Sequence, residues 1–208
     1  MLDNYEKDKY GVIHQTRYEK YNYDLKYVHD RYDAYGELTK RMSHLRLGYI
    51  IGVINRFPKT ILDIGYGNGD FLKTCSNVVP ECYGHDVSNY PIPENCKLID
   101  DIFTNAFDVI TFFDSLEHYE DINFISKLKC SYIVISLPWC HYFSDEWFRI
   151  WKHRRENEHL HHFSEEALTN FMSANGYECI SLTNIEDIIR KPNDGNKNIL
   201  TGIFKKIE

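Results

Sequence analysis

The chain has 208 residues, a length that suits one domain with a sizeable core and leaves little for a second. Hydrophobic residues at 43% and charged residues at 26%, with no low-complexity tract, are ordinary globular composition and exclude extended disorder. A formal charge of −7 argues against a broad basic face of the kind that displaces counterions from nucleic-acid phosphates.

The opening stretch, MLDNYEKDKY, is acidic and aromatic, unlike a signal peptide, and the longest strongly apolar run, LGYIIGVI at 47–54, is too short to cross a bilayer. The expectation is a cytoplasmic protein without a membrane anchor. Eight of the sixteen tyrosines precede residue 36. Tyr18, Tyr21, Leu25, Val28, Tyr32 and Tyr35 follow a spacing of three and four, which predicts a helix that stacks them on one face. Such a face either packs on the body or covers an active site, where Tyr hydroxyls and rings would contact substrate. A second helix is predicted from Ser43 to Phe57, stopped by Pro58. Residues 1–57 thus read as a Tyr-rich helical extension or lid, and 58–208 as the main domain.

From residue 60 onward, short continuously apolar runs occur at 60–64, 82–86, 96–99, 107–113 and 132–138, separated by helical or loop segments. Runs of this kind are parallel strands covered on both faces, so the order predicts an α/β fold with a doubly wound, mostly parallel sheet. SNYPIPENC, after the second run, is too Pro-rich for a full helix. The cysteines at 75, 82, 96, 130, 140 and 179 show neither a CxxC pair nor a zinc-finger spacing, and read as buried, reduced thiols. RIWKHRR at 149–155 is the one dense basic stretch, either a solvated helix face or a small anion pocket. A helix is then marked by Ser164 as N-cap, Glu165 and Glu166 in its first turn, a Leu168, Phe171 and Met172 stripe, and Gly176 past its end. Two closing strands, 177–184 and 198–206, flank the turn-rich KPNDGNKN and suggest an antiparallel pair at one sheet edge.

The stretch ILDIGYGNGDF at 61–71 carries the ligand signal. A strand ending at Asp63 runs into Gly65, Gly67 and Gly69, whose missing Cβ atoms allow a tight turn and close approach of a ligand to the main chain. A dinucleotide site would need GxGxxG with pyrophosphate on the helix N-terminus; the third glycine position is Asp70, which would repel it.

The DxGxGxG pattern resembles the first motif of class I S-adenosylmethionine-dependent methyltransferases, and the resemblance runs from residue 60 to about 205. It implies a Rossmann-like sheet of seven strands and S-adenosylmethionine as cofactor, with the glycine turn against the methionine part. Asp86, 17 residues after Gly69, falls at the position that accepts the ribose hydroxyls. In LIDDIF, Asp101 and Ile102 fall at the adenine position, with Asp100 as an alternative. Tyr66, Val87 and Phe113 complete the cofactor contacts that the resemblance implies.

FDVITFFDSLEHYED places Asp114, Glu117 and His118 at the carboxyl end of the fourth strand, spaced to share one side of a helical turn. DSLEH resembles the E-x-x-E-H of ubiquinone-biosynthesis O-methyltransferases and of small-RNA 2′-O-methyltransferases. In the RNA enzymes a later histidine completes a divalent-metal site, and His161 of HLHHFSEE matches it. The resemblance therefore implies Asp114, Glu117, His118 and His161 as candidate ligands for Mg²⁺ or Mn²⁺; without metal, His118 or His161 would serve as general base beside Asp114. His153, His159 and His162 read as surface or supporting residues. The expected function is O-methylation of a small hydroxyl-bearing metabolite, such as a sugar or nucleotide-linked compound whose phosphate Arg154 or Arg155 would read, inside walls formed by WCHYFSDEWF and the tyrosine-rich N-terminus. Alternatives are metal-assisted 2′-O-methylation of an RNA end and a non-catalytic cofactor-binding module.

Overall fold

The structure is a computed structural model that describes residues 2–32, 35–192 and 195–207; residues 193–194 of the turn-rich stretch lie outside it. Near the N-terminus, β1 (Tyr5–Lys7) and β2 (Ile13–Gln15) form an antiparallel hairpin. Its turn is built by Asp8, whose carboxylate accepts the Tyr10 and Val12 amides, and by Gly11 at φ 93°. The tyrosine spacing predicted one helix through Tyr18–Tyr35. The helix α1 is shorter, Leu25–Tyr32, because the Asp24 carboxylate caps the Tyr27 amide and starts it there. Helix α2 (Glu37–Ile54) then ends where Asn55 takes the left-handed conformation at φ 55°, before Pro58 is reached.

The main sheet begins with β3 (Thr60–Ile64), followed by α3 (Asp70–Cys75), β4 (Glu81–His85), β5 (Cys96–Leu98), β6 (Phe107–Phe113) and β7 (Cys130–Pro138). Helix α4 (Asp145–Ile150) and the two-residue β8 (His161–His162) lead to α5 (Glu165–Ala174), β9 (Tyr177–Thr183) and β10 (Ile199–Lys206). The seven strands are ordered β5-β4-β3-β6-β7-β10-β9, parallel except for the two pairings of β10. The chain reverses direction of travel across the sheet beside β3, which opens a crevice at the carboxyl ends of β3, β4 and β6. One face of the sheet is covered by Leu47, Ile50 and Ile54 of α2 with Phe71 and Leu72 of α3, the other by Leu168, Phe171 and Met172 of α5 with Leu116 and Ile125. No helix follows β4, as Pro91 and Pro93 dictate.

β8 pairs with β2, so the N-terminal hairpin is fastened to the segment just before α5. His14 and His161 meet there through their Nδ1 atoms at 2.7 Å, and His161 Nε2 lies 2.7 Å from the Tyr119 carbonyl. Among the described residues, no helix is long and apolar enough to cross a membrane.

Candidate active site

A cavity of about 400 Å³ lies at the carboxyl ends of β3, β4 and β6, within the size range of small-molecule sites. Its floor is Gly65, Gly67, Asp86, Val87, Asp114 and Ser115, and its roof is the segment bearing Tyr18, Tyr21, Tyr23, Tyr27 and Tyr32. Of the tyrosines that the sequence set on one helix face, Tyr18, Tyr21 and Tyr32 line the cavity and Tyr35 does not, and only part of that segment is helical. Rings of Tyr21, Tyr23 and Tyr27 contact one another at centroid distances of 5.0–5.9 Å, which makes the roof a continuous aromatic surface.

The glycine turn is built as tightly as its sequence requires. Gly65, Gly67 and Gly69 have φ of 82°, 56° and 76°, values that favour glycine. A Cβ on Gly67 would stand 2.3 Å from the Tyr32 hydroxyl, and one on Gly65 would stand 2.6 Å from Ser115 Cβ. Asp63 lies beneath the turn, hydrogen-bonded by Thr111 at 2.7 Å; burial pushes its pKa up to about 7. Asp86 faces the cavity and accepts the amides of Gly67 at 2.9 Å and Ser88 at 2.8 Å, one on each carboxylate oxygen.

The other expected cofactor residues are placed less uniformly. Val87 is 65% exposed and lines the cavity. Tyr66 is buried, its hydroxyl donating to the Tyr90 carbonyl, and Gly69 caps α3. Phe113 is buried under the Arg46 guanidinium, 4.1 Å from the ring centroid. Asp101 is exposed, turned back onto the Phe103 amide at 2.8 Å, and Ile102 is part of the core; neither lines the cavity.

The four residues expected at a metal site are not brought together. Asp114, at φ 52°, accepts two bonds of 2.8 Å from Arg190 and one of 3.2 Å from Arg46. Burial works to raise its pKa, but the two guanidiniums overcome it and hold the carboxyl well below its ordinary range. Both arginines also bind Glu186, which has no exposed surface; Arg46 does so through two bonds of 2.7 and 3.0 Å. The result is a charge-balanced quartet of which Asp114 lines the cavity and the other three do not. His161 is likewise engaged, between His14 and the Tyr119 carbonyl, and does not line the cavity.

Glu117 and His118 do converge, with His159 instead. One ligand atom of each lies within 4.8 Å of the others. Both Glu117 oxygens and His159 Nδ1 are buried without a hydrogen-bond partner among the described residues. His118 Nδ1 lies 2.8 Å from the Glu158 carbonyl, which only accepts, so Nδ1 carries the proton and Nε2 the lone pair. Nε2 is 3.9 Å from Glu117. Burial lowers the His118 pKa, and burial together with the Asp114 charge raises that of Glu117. The Tyr23 hydroxyl also reaches His118 Nδ1, at 2.8 Å, joining the roof to this cluster.

Arg154 and Arg155, expected to read a phosphate, are paired with Glu156 and Glu158 and do not line the cavity. The charged lining residues are Glu19, Asp86, Asp114 and Glu120 against Lys20, an acidic set even when Asp114 is counted as neutralised by its arginines. Sequence reasoning missed Arg46 on α2 and Glu186 and Arg190 after β9, which are far apart along the chain, and read His159 only as a surface or supporting residue. Tyr23 and Tyr27 were legible only as members of a tyrosine-rich segment.

A family model described as a methyltransferase domain matches residues 27–182. Among solved structures, the 1,6-didemethyltoxoflavin-N1-methyltransferase of Burkholderia thailandensis, with 1,6-didemethyltoxoflavin and S-adenosylhomocysteine bound, is similar at a TM-score of 0.63 and 12% identity, covering 99% of this chain and 100% of its own. The YcgJ protein of Bacillus subtilis is similar at 0.59 and 18% identity, covering 79% and 99%, and the methyltransferase domain of the bacterial CtHen1-C at 0.57 and 17%, covering 82% and 100%. At these identities the likeness is one of fold. No curated protein matches the chain.

Proposed function

Because the chain belongs to the methyltransferase-domain family and is an S-adenosylmethionine-dependent methyltransferase, we propose that it O-methylates a small, uncharged hydroxyl compound held beneath the tyrosine roof. The observation that carries this reading is His118, on the cavity wall with its Nδ1 proton directed at the Glu158 carbonyl, so that Nε2, 3.9 Å from Glu117, keeps its lone pair. In-line transfer moves the methyl from the sulfonium to the acceptor oxygen, so catalysis consists of aligning that oxygen and removing its proton. His118 takes the proton; its lowered pKa keeps it unprotonated at neutral pH. Asp86 receives the ribose hydroxyls and the glycine turn the methionine part of the cofactor, which leaves the aromatic roof for the acceptor. The acidic lining and the internal pairing of Arg154 and Arg155 favour an acceptor without phosphate. The Burkholderia enzyme, whose length this chain matches end to end, is named as an N1-methyltransferase of 1,6-didemethyltoxoflavin, which agrees with a small-molecule acceptor here but differs in the acceptor atom.

The test is methyl transfer from S-adenosylmethionine to a panel of phenols, sugars, nucleosides, amines and short RNA. Incorporation into hydroxyl compounds, reduced at least 100-fold in kcat by His118→Ala at unchanged cofactor affinity, is expected for a general base. Transfer confined to amines, or undiminished by that change, overturns the reading.

A second reading rests on the unpartnered atoms of Glu117 and His159 beside His118 Nε2, a donor set that fits a divalent cation such as Mn²⁺ or Zn²⁺. An ion held by these three residues would polarise an acceptor hydroxyl and lower its pKa. Activity lost on chelation and restored by added metal would favour it, and RNA as the preferred acceptor would extend it. The acidic cavity weighs against a polyanion.

A further inference from the structure

Three of the six cysteines lie in one core cluster, on the face of the sheet covered by α2 and α3: Cys75 on α3, Cys82 on β4 and Cys96 on β5. Cys82 and Cys96 are direct partners in the parallel pairing of β4 with β5. Paired residues on neighbouring strands point to the same face, and adjacent strands lie about 4.7–4.9 Å apart, inside the Cα separation of roughly 4.4–6.8 Å that a disulfide spans. All described cysteines are free thiols. Cys82 is 2% exposed, whereas Cys96 is half-buried on the edge strand of the sheet.

We infer that Cys82 and Cys96 are an oxidisable pair which a hydroperoxide converts to a reversible intrachain disulfide. Cys96 is the attacking partner, since it is the accessible one. The contact between the two sulfurs also lowers the pKa of Cys96 and raises that of Cys82, so the thiolate forms on the accessible side. The Cys96 thiolate attacks one peroxide oxygen and displaces hydroxide, giving a sulfenic acid. The Cys82 sulfur then attacks the Cys96 sulfur; the S–S bond forms, the S–O bond breaks, and the hydroxyl leaves as water with the Cys82 proton. One hydrogen peroxide is reduced and two thiols are oxidised, with no other reactant. Cys75 belongs to the same cluster but sits on a helix with no register partner, and it is spared.

The test uses the full-length protein and dilute hydrogen peroxide under native conditions. A fall in mass of about 2 Da, loss of two titratable thiols, a peptide joining Cys82 to Cys96 and recovery with dithiothreitol are expected. Cys96→Ser abolishes the bridge and Cys75→Ser leaves it intact. A bridge that survives Cys96→Ser, a bridge to Cys75, stepwise oxygen addition without cross-linking, or unchanged thiols in the native protein would each overturn the inference. The readouts are covalent, and their outcome is independent of which acceptor the enzyme methylates.

Discussion

Asp86→Asn tests the cofactor site most directly, because the structure allows its effect to be counted. An ionised carboxylate offers about four acceptor positions, two per oxygen. In Asp86 one position on each oxygen is taken, by the Gly67 amide at 2.9 Å and the Ser88 amide at 2.8 Å. One position per oxygen remains, open to the cavity, which suits the two adjacent hydroxyls of a ribose. A hydrogen bond to a charged group contributes about 1.5–3 kcal/mol, so two contribute about 3–6 kcal/mol. At about 1.4 kcal/mol per factor of ten, the lower figure corresponds to a weakening of roughly 100-fold. Asparagine keeps the size and one acceptor oxygen but removes the charge and turns the second oxygen into a donor, so the lower figure is the expected one. Isothermal titration calorimetry with S-adenosylhomocysteine, beside NAD as a control, measures it, and a melting curve without ligand confirms that the turn still folds. A Kd within about threefold of wild type at unchanged stability would refute the assignment of the ribose to Asp86.

The quartet of Arg46, Arg190, Asp114 and Glu186 predicts a stability effect: Glu186→Gln leaves two half-buried guanidiniums facing one carboxylate. Breaking a fully buried ion pair costs about 3–5 kcal/mol and an exposed one about 0–1, so an intermediate loss of about 2 kcal/mol is expected, and at about 2–4 °C per kcal/mol the melting midpoint should fall by roughly 4–8 °C in a calorimetric scan. Gly67→Ala should weaken S-adenosylhomocysteine binding and change the fluorescence of the tyrosine roof, since its Cβ would stand 2.3 Å from the Tyr32 hydroxyl; unchanged binding would separate Tyr32 from the site. His162 is buried against Tyr5, Phe148 and Trp151, and burial pushes its pKa down to about 3. A base with a depressed folded-state pKa binds fewer protons folded than unfolded, so it withdraws stability as pH falls from its unfolded value of about 6.5 towards 3. His162→Phe should therefore flatten the stability-versus-pH curve by about 1.4 kcal/mol per pH unit within that window, as read by urea titrations at pH 6 and pH 4; parallel curves would refute it.

The sheet was legible because its central strands are short apolar runs, whereas β4, β5 and β9 are mixed and half-exposed. TILDI and FDVITFF occupy β3 and β6 to the residue, and Ser164 marked the start of α5 through its own side chain, which accepts the Ala167 amide. The glycine turn was legible for the same reason, since φ values of 56–82° are written into the residue type. The N-terminal region was less so: the hairpin depends on Asp8 folding back on its neighbours, and α1 starts at Asp24, two short-range carboxylate caps hidden beneath a tyrosine period that points to a longer helix. The chemistry at the carboxyl end of β6 shows where local spacing stops being informative. Asp114, Glu117 and His118 are close in sequence, yet the backbone turns sharply at Asp114 and a short 3-10 turn follows at Leu116–His118, so Asp114 parts from Glu117 and His118, which stay together. What each then does is set by distant partners. Arg46 arrives from α2 and Arg190 from the segment after β9, and they claim Asp114; His14 arrives from β2 and claims His161; the loop before β8 brings His159 to Glu117 and His118. A carboxylate beside two guanidiniums is a poor proton acceptor, and a histidine with both nitrogens engaged is a poor ligand. At this end of β6 the groups left with unspent capacity are Glu117, His118 and His159, which is why the proposed acceptor chemistry is assigned to them.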